Sequence, residues 1–379
     1  MKFLFASDSF KGSLSSSETA ELLTKAANEV FGSCEVSSAP VADGGEGTVE
    51  AVIAAENGTM INAKVHGPLM EEMEAFYGVF DETKAVIEMA SASGLPLVPE
   101  KLRNPLNTTT YGTGELILDA LEKGYRDISI AIGGSATNDG GMGCARALGV
   151  KFLDETGAEL QGFGRDLAHV KTIDVSGLDP RIKESSITVM CDVTNPLCGE
   201  KGATMTFGRQ KGATEEIQKE LEAGMCNYRD VIKDTFGIDC DTIQGAGAAG
   251  GLGAALRVFL GGVMKSGIDT VLDLIRFDER LEGVDLVVTG EGRTDWQSCF
   301  GKVMQGVGVR SKAKGIPVLG LSGSLGKNAL DICDYGVSSL MTTVNAPMTL
   351  DEALDNAKQL YYEGAVRMFR FVKTGMDMR

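Results

Sequence analysis

Seven carboxylates of this 379-residue chain fall in short polar segments that also carry glycine: Asp8, Asp43, Glu46, Asp139, Asp192, Glu291 and Asp295. Five cations lie in comparable surroundings: Lys11, Arg209, Lys211, Arg293 and Lys302. Carboxylate oxygens suit hard cations, and magnesium takes one or two of them together with substrate phosphates. The chain has 36 Lys and Arg against 53 Asp and Glu, a formal charge of −17. On so acidic a chain, a cation inside a glycine-rich loop is placed to clamp an anionic substrate or a phosphate. Any one of the five, taken alone, would be an ordinary solvated charge.

Glycine supplies the second half of that chemistry. It accounts for 49 residues, about 13% against a usual ~7%. Without a Cβ, glycine lets backbone N–H groups approach a ligand, and a helix N-terminus adds a dipole end that favours phosphate. Two segments fit this role, Asp43-Gly44-Gly45-Glu46-Gly47-Thr48 and Gly133-Gly134-Ser135-Ala136-Thr137-Asn138-Asp139-Gly140-Gly141-Met142-Gly143. Neither matches a named phosphate motif. A third, Gly245-Ala246-Gly247-Ala248-Ala249-Gly250, is a literal G-x-G-x-x-G with Asp269 downstream, the spacing of a dinucleotide fingerprint. It lacks a convincing strand before it, and it reads equally well as small residues packed closely against a neighbour. The Walker pattern is absent: Trp296 stands where its first glycine would be, and Val303 follows Gly301-Lys302. With only His66 and His169, both read as surface or loop residues, neither a serine or cysteine hydrolase nor a zinc hydrolase is indicated.

The elements that would position these loops are strands of an α/β fold. Residues 2–6 read as a buried strand, and Ser15-x-x-Glu18 is a capping box opening a helix that Gly32 stops. A strand at 35–39 and a helix through Ile53 complete a β-α-β-α opening, which predicts a parallel, doubly wound sheet. Further strands are expected at 85–89, 128–132, 187–190, 285–288, 317–321 and 338–344, and a long helix is expected between Thr214 as N-cap and Gly237 as stop. Five of the strand runs pass directly into a polar loop: SDSFKGS, GGSATNDGG, CDVTNP, TGEGRTD and SGS. In open α/β sheets, ligands bind outside the carboxyl ends of strands.

Composition excludes several classes. The length exceeds what one hydrophobic core usually serves, so two domains are expected. The acidity argues against nucleic acid or an anionic membrane as partner. Eight scattered cysteines without a C-x-x-C pair indicate reduced, mostly buried thiols. No apolar run approaches the ~20 residues of a membrane span, and the short apolar start of the chain does not resemble a secretion signal. A cytoplasmic protein is expected.

Taken in order, the stretches Ser7–Ser15, Pro40–Thr48, Gly133–Gly143, Cys191–Leu197, Gly245–Gly253 and Thr289–Asp295 closely resemble the bacterial glycerate kinase type 1 family, with VADGGEGT, GGSATNDGG and CDVTNP the most specific. The resemblance runs along essentially the whole chain. It implies ATP-dependent phosphorylation of D-glycerate, usually at the 2-hydroxyl, giving 2-phosphoglycerate and ADP. It also implies two α/β domains with the active site in the cleft between them. The first, over 1–70 and 286–379, would be a Rossmann-like doubly wound parallel sheet built from both chain ends; the second, 71–285, would be inserted.

For that reaction, the ATP phosphates are expected at Lys11 and the Gly133–Gly143 backbone, with Gly133, Gly134, Ser135, Asn138, Asp139 and Gly140 on the nucleotide. Asp192 and Asp43 would hold Mg²⁺. Ser9, Asp43, Gly44, Gly45, Arg293 and Lys302 would face the substrate, Arg293 clamping its carboxylate. Asp295 or Asp8 would accept the hydroxyl proton. The chain departs from the family pattern at Met304-Gln305, where a proline is expected, and at Trp296 and Cys299-Phe300. Other readings stay open: an NAD-dependent oxidoreductase of a small hydroxy acid, motivated by GAGAAG; a non-catalytic sensor of organic acids; and phosphorylation at the 3-hydroxyl. A homodimer is one option for the assembly.

Overall fold

The computed structural model describes residues 1–378 and divides into two compact α/β units. The first comprises Met1–Asp43, Glu50–Asn57 and the chain from Gly267 onward; the second comprises Gly44–Val49 and Gly58–Ser266.

The first unit is built on a five-stranded, wholly parallel sheet. Its strands lie in the order Val337–Thr342, Val318–Ser322, Leu286–Thr289, Lys2–Phe5, Glu35–Ser38. The KFLF run is apolar throughout because the central strand is covered on both faces. The capping box that opens the helix Ser16–Phe31 forms as expected: the Glu18 N–H donates to Ser15 Oγ at 3.1 Å, and the Ser15 N–H donates to the Glu18 carboxylate at 2.9 Å. Phe3 and Phe5 pack on Phe369 of the helix Ala357–Asp377, with ring centroids 5.4 and 6.0 Å apart, so the two chain ends share one core. Successive strands run outward from the centre in both directions, to Glu35–Ser38 on one side and to Val318–Ser322 and Val337–Thr342 on the other. The point of divergence lies between Lys2–Phe5 and Leu286–Thr289.

The second unit holds a six-stranded mixed sheet. Val263–Lys265, Ser186–Met190, Asp127–Ala131 and Lys84–Glu88 are parallel; Glu72–Phe80 and Thr59–His66 then add antiparallel. The antiparallel pair at 59–80 is not among the strands expected from the sequence. The helix Thr48–Glu56 is followed by a long hairpin of the other unit's sheet, whose inward positions Ala63, Val65, Ala75 and Tyr77 alternate with exposed Met60, Asn62 and Lys64. His66 is likewise not a loop residue: it ends the outer strand, with Nδ1 3.0 Å from Glu115. The helix Glu215–Phe236 carries the expected Thr214 cap and Gly237 in the left-handed conformation. All eight cysteines are free thiols, but only Cys144, Cys198, Cys240 and Cys299 are fully buried.

The glycine-rich stretch at 245–253 is packing, not a nucleotide fingerprint. It follows a short 3-10 turn, Cys240–Thr242, with no strand before it. A Cβ on Gly250 would stand 2.1 Å from the Thr137 carbonyl oxygen, so this segment and the Gly133–Gly143 loop touch backbone to backbone. Gly250 (φ +67°) and Gly237 (φ +71°) share a left-handed backbone, but Gly237 faces open space. Gly237→Ala is therefore expected to cost about 1 kcal/mol, and Gly250→Ala about 1–3 kcal/mol more for the overlap. Equal losses in denaturant titrations would refute the close-packing account.

Candidate functional site

Around the divergence point of the first unit's sheet, the loops after Lys2–Phe5 and Leu286–Thr289 meet. This is where an open α/β sheet leaves a crevice, because its connections depart to opposite sides. A cavity of about 780 Å³ opens there, and Asp8, Ser9, Lys11, Asp43, Glu291, Arg293 and Lys302 line it. Six of these are site residues expected from the sequence; Glu291 is expected only as a loop carboxylate.

Backbone bonds fix the geometry of this rim. The Asp8 N–H donates to the Gly290 carbonyl at 2.9 Å, tying the two loops together, and the Ser9 N–H donates to Asp8 Oδ1 at 2.7 Å. Burial pushes the Asp8 carboxyl up to about 7, the charge of Asp43 adds to the rise, and that of Glu291 adds further; the Ser9 N–H and Lys11 oppose it. Burial also raises Glu291, against hydrogen bonds from Ser298 and Thr294 and the charge of Lys302. Thr294 stands with its hydroxyl 2.7 Å from that of Ser322 and 3.0 Å from Met304 Sδ. Met304, one of the departures from the family pattern, therefore packs directly behind the Glu291 network.

Asp295 is placed differently. One carboxylate oxygen accepts the Gln297 N–H at 2.9 Å, capping the short turn Trp296–Cys299, and the other lies 3.5 Å from Arg293 Nε. It is not among the residues lining the cavity. Trp296 and Phe300 form an exposed aromatic pair, centroids 5.9 Å apart, on a separate surface hollow.

In the second unit, the Gly133–Gly143 loop follows the strand Asp127–Ala131, and the Asp192 loop follows its parallel neighbour Ser186–Met190, so the two leave the same end of the sheet. Gly44 and Gly45 belong to this unit, and a Cβ at Gly133 would lie 3.5 Å from the Gly45 Cα. Gly133, Gly134 and Asp192 are exposed; Ser135, Asn138, Asp139 and Gly140 are buried. Asp139 accepts four donors: the Thr110 N–H and hydroxyl, each at 2.7 Å, and the N–H groups of Gly141 and Gly143 at 3.1 and 3.2 Å. Burial raises its carboxyl, opposed by those bonds. Its carboxylate is thus the loop's internal anchor.

Lys211 corrects the expectation of an anion clamp. It is 2% exposed, and its ammonium donates to Ser135 Oγ at 2.7 Å and to the Thr137 carbonyl at 2.6 Å. Burial pushes it down to about 7, against the charge of Asp139. It holds the glycine-rich loop from beneath, a role that nothing in the local sequence signals. Among the described residues, Thr137 Oγ1 and Asn138 Oδ1 are buried without a hydrogen-bond partner.

For Asp8 the direction of pH dependence follows from the raised value. The folded chain binds this proton more tightly than the unfolded chain, whose ordinary value is 3.8. The stabilisation is complete below that value and is lost as pH rises through about 7. In metal-free buffer, Asp8→Asn is expected to raise Tm relative to the parent at pH 8 and to leave it little changed at pH 4. A Tm difference independent of pH would contradict this placement of Asp8.

The model of the glycerate kinase family matches residues 3–373. The chain is 49% identical over 358 residues to a glycerate 2-kinase of Escherichia coli (strain K12), covering 94% of each chain. It is 45% identical to a glycerate kinase of Bacillus cereus, covering 95% of this chain and 94% of the other. The crystal structure of a Salmonella typhimurium LT2 protein assigned as glycerate kinase 2 superposes with a TM-score of 0.91 at 42% identity, covering 100% of this chain and 99% of that one. No helix among the described residues is long and apolar enough to cross a membrane.

Proposed function

From the premise that this chain belongs to the glycerate kinase family, we propose that the cavity of the first unit is where D-glycerate receives the γ-phosphoryl group of ATP, at its 2-hydroxyl. The observation that carries this reading is the convergence of Asp8, Asp43 and Glu291 with Lys11, Arg293 and Lys302 on one cavity at the sheet's divergence point. Phosphoryl transfer asks the protein chiefly for positioning and charge neutralisation, and this set supplies both. The glycine segment at 245–253, spent on packing, gives the dinucleotide alternative no support.

Asp8 is the better candidate for the base. Its carboxyl lines the cavity with a proton affinity near neutral pH, which suits general-base work. Asp295 caps a turn and steadies Arg293. Arg293, 67% exposed in its side chain, has the guanidinium fork that binds a carboxylate in two places, and Ser9 stands beside it in the lining. Lys11 and Lys302 are the phosphate cations, and the open backbone of Gly133 and Gly134, beside Gly44 and Gly45, offers N–H donors to the nucleotide.

The donors fit a hard cation: three carboxylates crowd closely enough that two of them raise the proton affinity of the third. Asp43 in this lining is a proposed Mg²⁺ ligand, and Asp192 is a proposed ligand from the family resemblance. The ion would supply charge neutralisation to the phosphates. Each compact unit is proposed to act as one domain, the chain-end unit receiving the acid.

Incubation with Mg-ATP and D-glycerate is expected to release ADP and to yield a product that phosphorus NMR and direct conversion by enolase identify as 2-phosphoglycerate. Absence of ADP above background would sink the reading. Arg293→Ala is expected to raise KM for glycerate by about 10- to 100-fold, the loss of a charged hydrogen-bonding partner of about 1.5–3 kcal/mol, with KM for ATP little changed. A rise confined to ATP would remove Arg293 from the carboxylate.

A further inference from the structure

The cavity is far larger than a three-carbon acid requires, and charged side chains are only part of its lining. Leu14, Val344, Met348, Leu350, Ala353 and Leu354 also line it, the last five from one segment that contributes Thr349 as well. Two of these are leucines that the fold leaves in water: Leu350 is 72% exposed and Leu354 37%. Neither glycerate nor a polyphosphate has an apolar surface to offer them. About 780 Å³ is instead the scale of sites, about 300–1,000 Å³, that enclose a drug-sized molecule with apolar walls and a few charged anchors.

We infer that this apolar part of the lining is the purine subsite for the nucleotide, with the triphosphate running toward Lys11 and Lys302. The assignment rests on the phosphotransfer reading above for the identity of the ligand. The purine is the one flat, weakly hydrated group among the reaction's participants, and burying it there would remove both its faces and the exposed leucines from water. The wall is built before any ligand arrives. The short helix Leu350–Asp355, which presents Leu350, Ala353 and Leu354, is fixed by a complete capping box. In it the Thr349 N–H and hydroxyl donate to the Glu352 carboxylate at 2.8 and 2.9 Å, and the Glu352 N–H donates back to Thr349 Oγ1 at 3.3 Å. Met348 adds a flexible, polarisable side chain that adapts to a ring face. Asp8, Lys11, Glu291 and Arg293 follow the carboxyl ends of the two central strands, so base and phosphates would span the crevice that the sheet's divergence opens.

The test compares the Mg²⁺ complexes of ATP and inorganic tripolyphosphate, titrated by calorimetry into the parent protein and into Leu350→Gln, Leu354→Gln and the double variant. Because Leu350 is mostly exposed, folding should survive, and Tm is recorded as a control. The double variant is expected to weaken ATP at least about tenfold, about 1.4 kcal/mol, while tripolyphosphate changes by less than twofold. KM for ATP should rise without a matching rise for glycerate. ATP affinity unchanged, or both ligands weakened in parallel, would overturn the purine assignment. ATP binding with the expected pattern but no ADP on adding glycerate would overturn the phosphotransfer reading and leave the purine subsite standing. ADP formation with nucleotide affinity untouched by the leucine variants would do the reverse.

Discussion

The shape of the second unit's loop edge depends on one buried carboxylate. Asp139 gathers a hydroxyl and three backbone N–H groups, two of them from glycines of its own loop and the others from Thr110. A glycine-rich chain of this length has no intrinsic preference for one path, and ordering it costs more backbone entropy than ordering any other residue type. The four charge-assisted bonds offset that cost at a single point. Lys211 then fixes the loop's first half by grasping Ser135 and the Thr137 carbonyl. The 245–253 segment, stripped of side chains, closes against it. The exposed backbone at Gly133 and Gly134 is presented in one conformation because everything behind it is already committed.

The first unit solves a different problem. Its rim buries Asp8 and sets Asp43 and Glu291 near it, so the raised proton affinity of Asp8 reflects burial first and those like charges second. Structural economy alone would disperse Asp8, Asp43 and Glu291. Their convergence, with Lys11, Arg293 and Lys302 on the same walls, sets three carboxylates against three cations around one cavity. Glu291, held by Ser298 and Thr294, is the member that sequence reading undervalued. It lies in a loop whose neighbours Arg293 and Asp295 drew the chemical argument, and only the cavity separates its role from theirs.

Local rules were legible wherever the determining groups are neighbours in sequence. The Ser15-Glu18 box, the Thr214 cap and the left-handed Gly237 each need only a few consecutive residues, and each formed. The strand-then-polar-loop pattern likewise placed most of the cavity's charged residues. The hairpin at 59–80 escaped because half of its inward face is Ala63 and Ala75, too weakly hydrophobic to mark an alternation. Lys211 escaped because burial of a lysine is decided by partners 74 and 76 residues away. The G-x-G-x-x-G at 245–250 misled because close backbone packing and nucleotide binding call on the same property of glycine, and only the neighbour, the Thr137 carbonyl, distinguishes them.

The central sheet pairs Phe3 with Leu286 and Phe5 with Val288. On a ribosome, the first strand therefore emerges long before this one of its two partners exists, whereas every strand of the other sheet lies between Thr59 and Lys265. The inserted unit can close its core while the KFLF segment is still waiting. That segment can pair early with Glu35–Ser38, but its other edge stays open until Leu286–Thr289, in the last quarter of these 379 residues, has been made. Destabilising substitutions in the C-terminal helix that carries Phe369 should accordingly act first on yield and solubility during synthesis, before they touch the chemistry of the finished enzyme.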